Sequence, residues 1–275
     1  LLPDGESQVE FEHVFPSEGS FVVGVVLEDD PLPADKRAEA VIVVTSGIPA
    51  LIVDGDARLD EIRSESFFVK SVFEASGRRS PWIQGKVVRP DELNEGLLQS
   101  QKVVLLCNVP RLSPEQWTAL RQFVAEGGGL IVAPGDRIDP VHWNSVPNQG
   151  ESPLLPARFD ATEADTQQVG REPVTIQSES LEMSWLRRFR RESGVDFWQT
   201  RFSRWWVLSP LVIPEKEVEA APAGSPEKPS SVQPDVLGRL TNGRPLMVAM
   251  SHGEGAVFQL AVPLDADWGT LPARN

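Results

Sequence analysis

From Val9 to Ser46 apolar residues alternate with polar ones or run as β-branched stretches. These are Q-V-E-F-E-H-V-F, S-F-V-V-G-V-V-L-E and E-A-V-I-V-V-T, separated by the turn sequences P-S-E-G and D-D-P-L-P-A-D-K. Period two sends successive side chains to opposite faces of a strand, so this head is expected to form about three antiparallel strands. At Ile48 the pattern changes. P-A-L-I-V-D-G-D is a short apolar run ending in acids and glycine. After it comes S-E-S-F-F-V-K-S-V-F-E-A, in which Phe67, Phe68, Val69, Val72 and Phe73 fall near helical spacing and Gly77 supplies a stop. The alternation then repeats: W-I-Q-G-K-V-V as a strand, a short helix around Glu92 to Leu98, and K-V-V-L-L-C-N-V as a strand. A helix then starts on Ser113 as N-cap, with Pro114 at its first position and Gln116 as the box partner. It ends in Gly127, Gly128 and Gly129. Strand G-L-I-V-A-P-G follows.

Short continuous apolar strands alternating with helices predict an α/β unit with a mainly parallel, doubly wound sheet, covered on both faces. Beyond Gly135 the pattern weakens. Residues 136–173 read as a long excursion with little regular structure, Glu182 to Glu192 as a helix, Phe197 to Leu208 as an aromatic strand, and 214–234 as a flexible loop. R-P-L-M-V-A-M and G-A-V-F-Q-L-A-V flank the turn S-H-G-E-G and predict a hairpin. The expected organisation is therefore a small β-rich head, 1–47, and an α/β domain, 48–275. Three strands are too few to close a sandwich, so the head reads as the remnant of an incomplete immunoglobulin-like β-sandwich, with the chain a piece of a longer protein.

Composition narrows the function. The 275 residues carry 40 Asp and Glu against 26 Lys and Arg, a net charge of −14, which argues against nucleic acid as a partner because phosphate neutralisation needs clustered cations. A single Cys leaves no intrachain disulfide and no thiolate metal cage, and no cofactor signature or metal-ligand spacing occurs. No run approaches the roughly 20 apolar residues of a membrane span, so a membrane enters only through segments outside this chain.

Three clusters offer chemistry. Cys107, His252 and Glu254 can be written as nucleophile, base and orienter, although L-L-C-N-V-P lacks the small residues that frame a nucleophile elbow. A buried structural thiol and a solvated turn histidine are the plain alternatives. L-I-V-D-G-D puts Asp54 and Asp56 at the carboxyl edge of a strand, where open α/β sheets bind ligands. This motif resembles the first motif of haloacid-dehalogenase-like phosphatases, which implies an Asp nucleophile, an acid and Mg²⁺, with Asp265 and Asp267 imitating the last acidic pair. A capped, solvated turn is the alternative. W-L-R-R-F-R-R, including Arg188 and Arg191, is a basic, aromatic exception in an acidic chain. It reads either as a carboxylate- or partner-binding patch, possible self-association included, or as a helix whose arginines pair with the chain's own carboxylates.

The order of the pieces carries a further resemblance. D-D-P-L-P-A-D-K, P-A-L-I-V-D-G-D, K-V-V-L-L-C-N-V-P-R-L-S, F-V-A-E-G-G-G-L-I-V-A-P-G and the closing L-D-A-D-W-G-T-L-P together resemble the extracytoplasmic part of bacterial, planctomycete-type membrane-anchored proteins with BatA-like and von Willebrand factor A regions. The resemblance implies a flavodoxin-like, class I glutamine amidotransferase-like fold. The expected function is a non-catalytic interaction or ligand-binding module of a cell-envelope protein that meets protein partners. Cys-dependent glutamine amidotransfer or amide hydrolysis and Asp-dependent phosphate hydrolysis are the enzymatic alternatives.

Overall fold

The computed structural model describes residues 9, 11–26, 37–74, 82–149, 152–166, 172–193, 196–213 and 233–273. The chain divides into two compact units, Leu1–Gly47 and Ile48–Asn275.

In the first unit β1 (Gly19–Val26) and β2 (Arg37–Val44) pair antiparallel over their whole length, from Gly19 opposite Val44 to Val26 opposite Arg37. Both are rich in valine, whose branched side chains suit a pleated surface. Val9 and residues 11–15 lie outside any strand, so the third expected strand does not form among the described residues. Among the described residues the unit is a two-stranded antiparallel ribbon, one strand fewer than expected.

The second unit is built on β3 (Ile48–Asp54), α1 (Phe67–Glu74), β4 (Ile83–Val88), α2 (Glu95–Leu98), β5 (Val103–Cys107), α3 (Pro114–Ala125) and β6 (Gly129–Ala133). It continues through α4 (Pro140–Ser145), β7 (Ala157–Ala164), β8 (Arg204–Pro210), β9 (Asp235–Arg239), β10 (Pro245–His252) and β11 (Gly255–Leu260). Seven strands form one sheet in the order β4-β3-β5-β6-β11-β10-β9. β4, β3, β5, β6 and β11 run parallel, whereas β10 pairs antiparallel with both β11 and β9. The expected hairpin is β10–β11.

β3 shows why the central strands are continuous apolar runs. Leu51 and Val53 point to one side and pack with Val104, Leu106, Leu130, Val132 and the α3 residues Trp117, Leu120 and Val124. Ala50 and Ile52 point to the other and pack with Leu105, Cys107 and Val69 of α1. A strand buried on both faces has no solvent side for polar residues, and each such Leu, Ile or Val contributes roughly 1.5–3 kcal/mol on burial. α3 starts as its sequence predicts. Ser113 Oγ accepts from Gln116 N at 3.2 Å and Gln116 Oε1 accepts from Ser113 N at 2.9 Å. Gln116 Nε2 also donates to the carbonyls of Pro90 and Leu93, tying the helix to the preceding loop.

The doubly wound, flavodoxin-like, amidotransferase-like expectation is overturned. The sheet is mixed, and the described residues hold four α-helices, of which α1 alone packs into the Ala50–Ile52–Leu105 face. On the opposite side a second, two-stranded antiparallel sheet, β7–β8, joins α3 in covering the main sheet: Ala157 N donates to Gln259 Oε1 at 3.1 Å and Trp206 N to the Ala261 carbonyl at 2.7 Å. Residues 136–173 thus hold α4 and β7 in place of an irregular excursion. Trp143 anchors them; it is fully buried, edge-on to Trp117 and Phe159, and its Nε1 donates to the Val109 and Pro110 carbonyls. Residues 182–192 form short 3-10 turns, not a helix. Arginine side chains take up the carbonyls a helix would use: Arg187 Nε donates to Glu182 O and Arg190 Nε to Leu181 O. Of the expected loop 214–234, residues 214–232 lie outside the described residues.

The β10–β11 turn is pressed against the end of α3. A Cβ on Gly255 would come within 2.2 Å of the Gly128 carbonyl and 2.3 Å of the Val124 carbonyl. Gly255→Ala should therefore cost about 2–3 kcal/mol, read as a lowered midpoint in urea unfolding.

Candidate functional site

The chain leaves β3 for β4 on one side and returns to β5 on the other, so the strand order reverses between the carboxyl ends of β3 and β5. In open α/β sheets this is where a crevice forms and ligands bind. Asp54 closes β3, Cys107 closes β5, and Asn108 follows it. The loops meet closely: Gly55 N donates to Cys107 O, and Asn108 N to Ala133 O, both at 2.8 Å. A Cβ on Gly55 would sit 2.1 Å from the Asn108 carbonyl, and one on Gly135 would sit 2.4 Å from Asn108 Cγ, so glycine is required at both.

Asp54 is buried and fully engaged. Its Oδ1 accepts from Asp56 N at 2.9 Å, and its Oδ2 accepts from Ser66 N at 3.1 Å and Ser66 Oγ at 2.6 Å. Asp56 is held by two guanidiniums, Arg58 through Nε at 2.8 Å and Arg137 through Nη1 at 2.9 Å. Asn108 adopts a left-handed φ of 48°, a conformation asparagine tolerates better than most residues. Its Nδ2 donates to Glu65 Oε1 at 2.6 Å and Asp136 Oδ1 at 2.9 Å, while its Oδ1 accepts from Arg137 N at 2.9 Å.

The remaining oxygen of buried Glu65, Oε2, meets no N–H or O–H donor. Glu65 also feels the charge of buried Asp265, and like charges near one another oppose each other's ionisation. Burial, followed by the Asp265 charge, pushes Glu65 up to about 8. Asp265 is itself raised, chiefly by burial. Cys107 lies beneath this cluster. Burial, then Glu65, Asp54 and Asp265, push its thiol far above the usual range, the opposite of what a nucleophilic thiolate needs.

The structure separates the proposed triad. Cys107 is level with Ala133 at the carboxyl end of β6, whereas His252 pairs with Gly255, next to the level of Gly129 at its amino end. At about 3.3 Å per residue that is roughly 15 Å along the sheet. His252 is lowered by burial and by Arg121, and Glu254 N bonds to Ala125 O at the end of α3. His142 is also occupied, with Trp117 Nε1 3.3 Å from its Nε2.

Asp54 and Asp56 do adjoin, whereas Asp265 accepts from the Asp267 amide. However, Asp54 has donors on both oxygens, and among the described residues no group of three or more His, Cys, Asp or Glu is placed to hold a metal ion. Arg188 is exposed on a 3-10 turn and Arg191 stacks over Trp198 at 4.8 Å. The nearby Trp205 and Trp206 are buried, with Nε1 donating to Glu163 and to the Gly135 carbonyl. Sequence reasoning missed Glu65 and Asn108. Asn108 had a signal, a polar residue directly after an apolar strand; Glu65 looked like an ordinary acid ahead of a helix.

No family model matches the chain, and no curated protein matches it. Two solved structures share its fold over most of their length. A cytoplasmic protein from Salmonella typhimurium LT2 is 14% identical with a TM-score of 0.51, covering 91% of this chain and 87% of that one. A second cytoplasmic protein from Salmonella typhimurium is 12% identical with a TM-score of 0.50 over the same shares. A β-galactosidase from Bacillus circulans sp. alkalophilus matches at a TM-score of 0.44 and 13% identity, over 81% of this chain and 29% of the enzyme.

Replacing Asn108 by Ala strands two carboxyl oxygens and the Arg137 amide and leaves a Cβ at positive φ. A loss of about 3 kcal/mol or more is expected in urea unfolding. Asn108→Gly should recover ~1 kcal/mol of it by relieving the backbone.

Proposed function

We propose that the chain is a non-catalytic interaction or ligand-binding module that meets protein partners. The observation that carries this reading is Cys107: the thiol ends a strand at the edge where such sheets hold ligands, yet it is buried and ringed by carboxyl groups, with His252 at the far end of the sheet. A thiolate there would face Asp54, Glu65 and Asp265, so ionisation is opposed by charge as well as by burial. The Asp54 carboxylate, held by Ser66 and the Asp56 amide, supports the same reading for phosphate chemistry. Through its sequence resemblance to BatA-like proteins, the module belongs to an anchored cell-envelope protein.

Ammonia release from glutamine should be the same for the wild-type chain and Cys107→Ala, and a thiol reagent should label Cys107 after unfolding but not in the native chain. Cys107-dependent ammonia release would overturn the reading. For the parent protein, recovery in the membrane fraction after cell lysis is expected, and recovery in the cytosol would refute the envelope assignment.

A further inference from the structure

The main sheet treats its two edges differently. At one end β9 is capped from within the chain: Gln177 N donates to Arg239 O at 2.9 Å, Arg239 N donates to Ser180 Oγ at 2.8 Å, and Ile176 forms an antiparallel bridge with Leu240. At the other end β4 pairs, among the described residues, with β3 alone. An open edge is a row of donors and acceptors that can template another strand.

The register identifies those groups. Ile48 N donates to Trp82 O at 2.7 Å, and Ile48, Ala50 and Ile52 lie opposite Ile83, Gly85 and Val87. In a parallel ladder this turns the backbone groups of Gln84, Lys86 and Val88 toward β3 and those of Ile83, Gly85 and Val87 outward. Among the described residues nothing bonds to the backbone of the outward three. Their side chains share the α1 face with Ala50 and Ile52. Ile83 is half-buried there, and Val87 is 38% exposed. Gly85 lies under Phe73, whose ring a Cβ would approach to 2.8 Å. Gln84 and Lys86 are exposed on the opposite face.

We propose that β4 is a dimerisation edge, at which a second copy of this chain adds its own β4 antiparallel about a two-fold axis through Gly85. The other registers are poorer. Centring the axis on Lys86 sets that lysine against Lys86 of the second copy, a destabilising like-charge pair. Centring it on Gln84 pairs Ile83 with Gly85 and leaves Val87 beyond the partner strand. With the axis at Gly85 all three outward residues pair: Gly85 meets Gly85, Ile83 meets Val87, and each such pair exchanges two hydrogen bonds. Apolar Ile83 and Val87 then adjoin on the α1 face, and Lys86 stands opposite Gln84 on the other. Lys86 is the sole charge in W-I-Q-G-K-V-V, so two copies of a chain of net charge −14 meet here without opposing carboxylates.

Helix α1 leaves room for the second copy. It lies over β3 and β4, with Val69 beside Ala50 and Ile52 and Phe73 on Gly85. With strands about 4.8 Å apart, its symmetry mate is roughly 10–14 Å away, at or beyond the spacing of packed helices. An edge of six residues falls short of the roughly 800 Å² per partner of a standard interface, so the dimer is weak, with a Kd of about 10–100 μM. Dimerisation at β4 is independent of the chemistry at Cys107 and would hold for an active enzyme as well.

Sedimentation equilibrium of the 275-residue chain over about 5–500 μM tests this. The weight-average mass should rise from 30.3 kDa toward twice that value. Val87→Pro removes an outward N–H while sparing the β3 ladder and should weaken association by about tenfold or more. Val87→Lys sets a charge against Ile83 of the second copy; it should act in the same way and provides the test if Val87→Pro does not fold. Gln84→Cys combined with Lys86→Cys reads the register. These positions form a non-hydrogen-bonded pair with Cα atoms about 4.5 Å apart, within disulfide reach, so mild oxidation should link two copies of the double variant more completely than either single variant. A wild-type monomer at every concentration would overturn the proposal. So would a dimer that both Val87 variants leave equally strong, or a double-cysteine variant that stays unlinked.

Discussion

Asn108 stands where the loops after β3, β5 and β6 converge, and its amide links three of them at once. One N–H₂ group holds Glu65 and Asp136 while the oxygen takes the Arg137 amide. The backbone must turn through a left-handed conformation to bring that amide into place, and Gly55 and Gly135 must lack side chains to let it in. A buried polar group is tolerated when its partners are complete, so this crevice is organised around satisfying Asn108 and the carboxyls it touches. The core beneath it, two-sided and apolar, provides no alternative partners.

That constraint sets the electrostatics of the site. Asp54 is saturated by Ser66 and the Asp56 amide, and the two nearby arginines are drawn to Asp56, so burial and neighbouring carboxylates raise Glu65 and Asp265. The same field that retains the proton on Glu65 suppresses ionisation of Cys107. One arrangement of charges thus accounts for a carboxyl that stays neutral and a thiol that stays unreactive, at an edge where α/β sheets commonly place their chemistry.

The sequence revealed features governed by local physics. The Ser113–Gln116 box and the Gly-rich stop fixed α3, the apolar runs marked β3 to β6, and S-H-G-E-G marked the β10–β11 hairpin. It concealed what depends on distant partners. β7 and β8 are about 40 residues apart in sequence, and β7 reads as polar because only part of it is buried. Continuous apolar strands suggested a mainly parallel sheet with helices on both faces; the antiparallel β10, with β9 beyond it, and the β7–β8 layer meet the same demand for burial in another way. At the site, the acidic pair Asp54 and Asp56 was visible because two carboxylates follow an apolar strand. Glu65 was not, since a glutamate before a helix is common and nothing in its sequence neighbours signals its burial.

The net charge of −14 acquires a more specific meaning from this geometry. On an exposed surface, excess carboxylates repel partners of like sign and are screened within about a Debye length. Asp54, Glu65 and Asp265 are removed from that surface, each 7% exposed or less. Their charge is regulated instead by hydrogen bonds and by burial, and it is felt by neighbours such as Cys107.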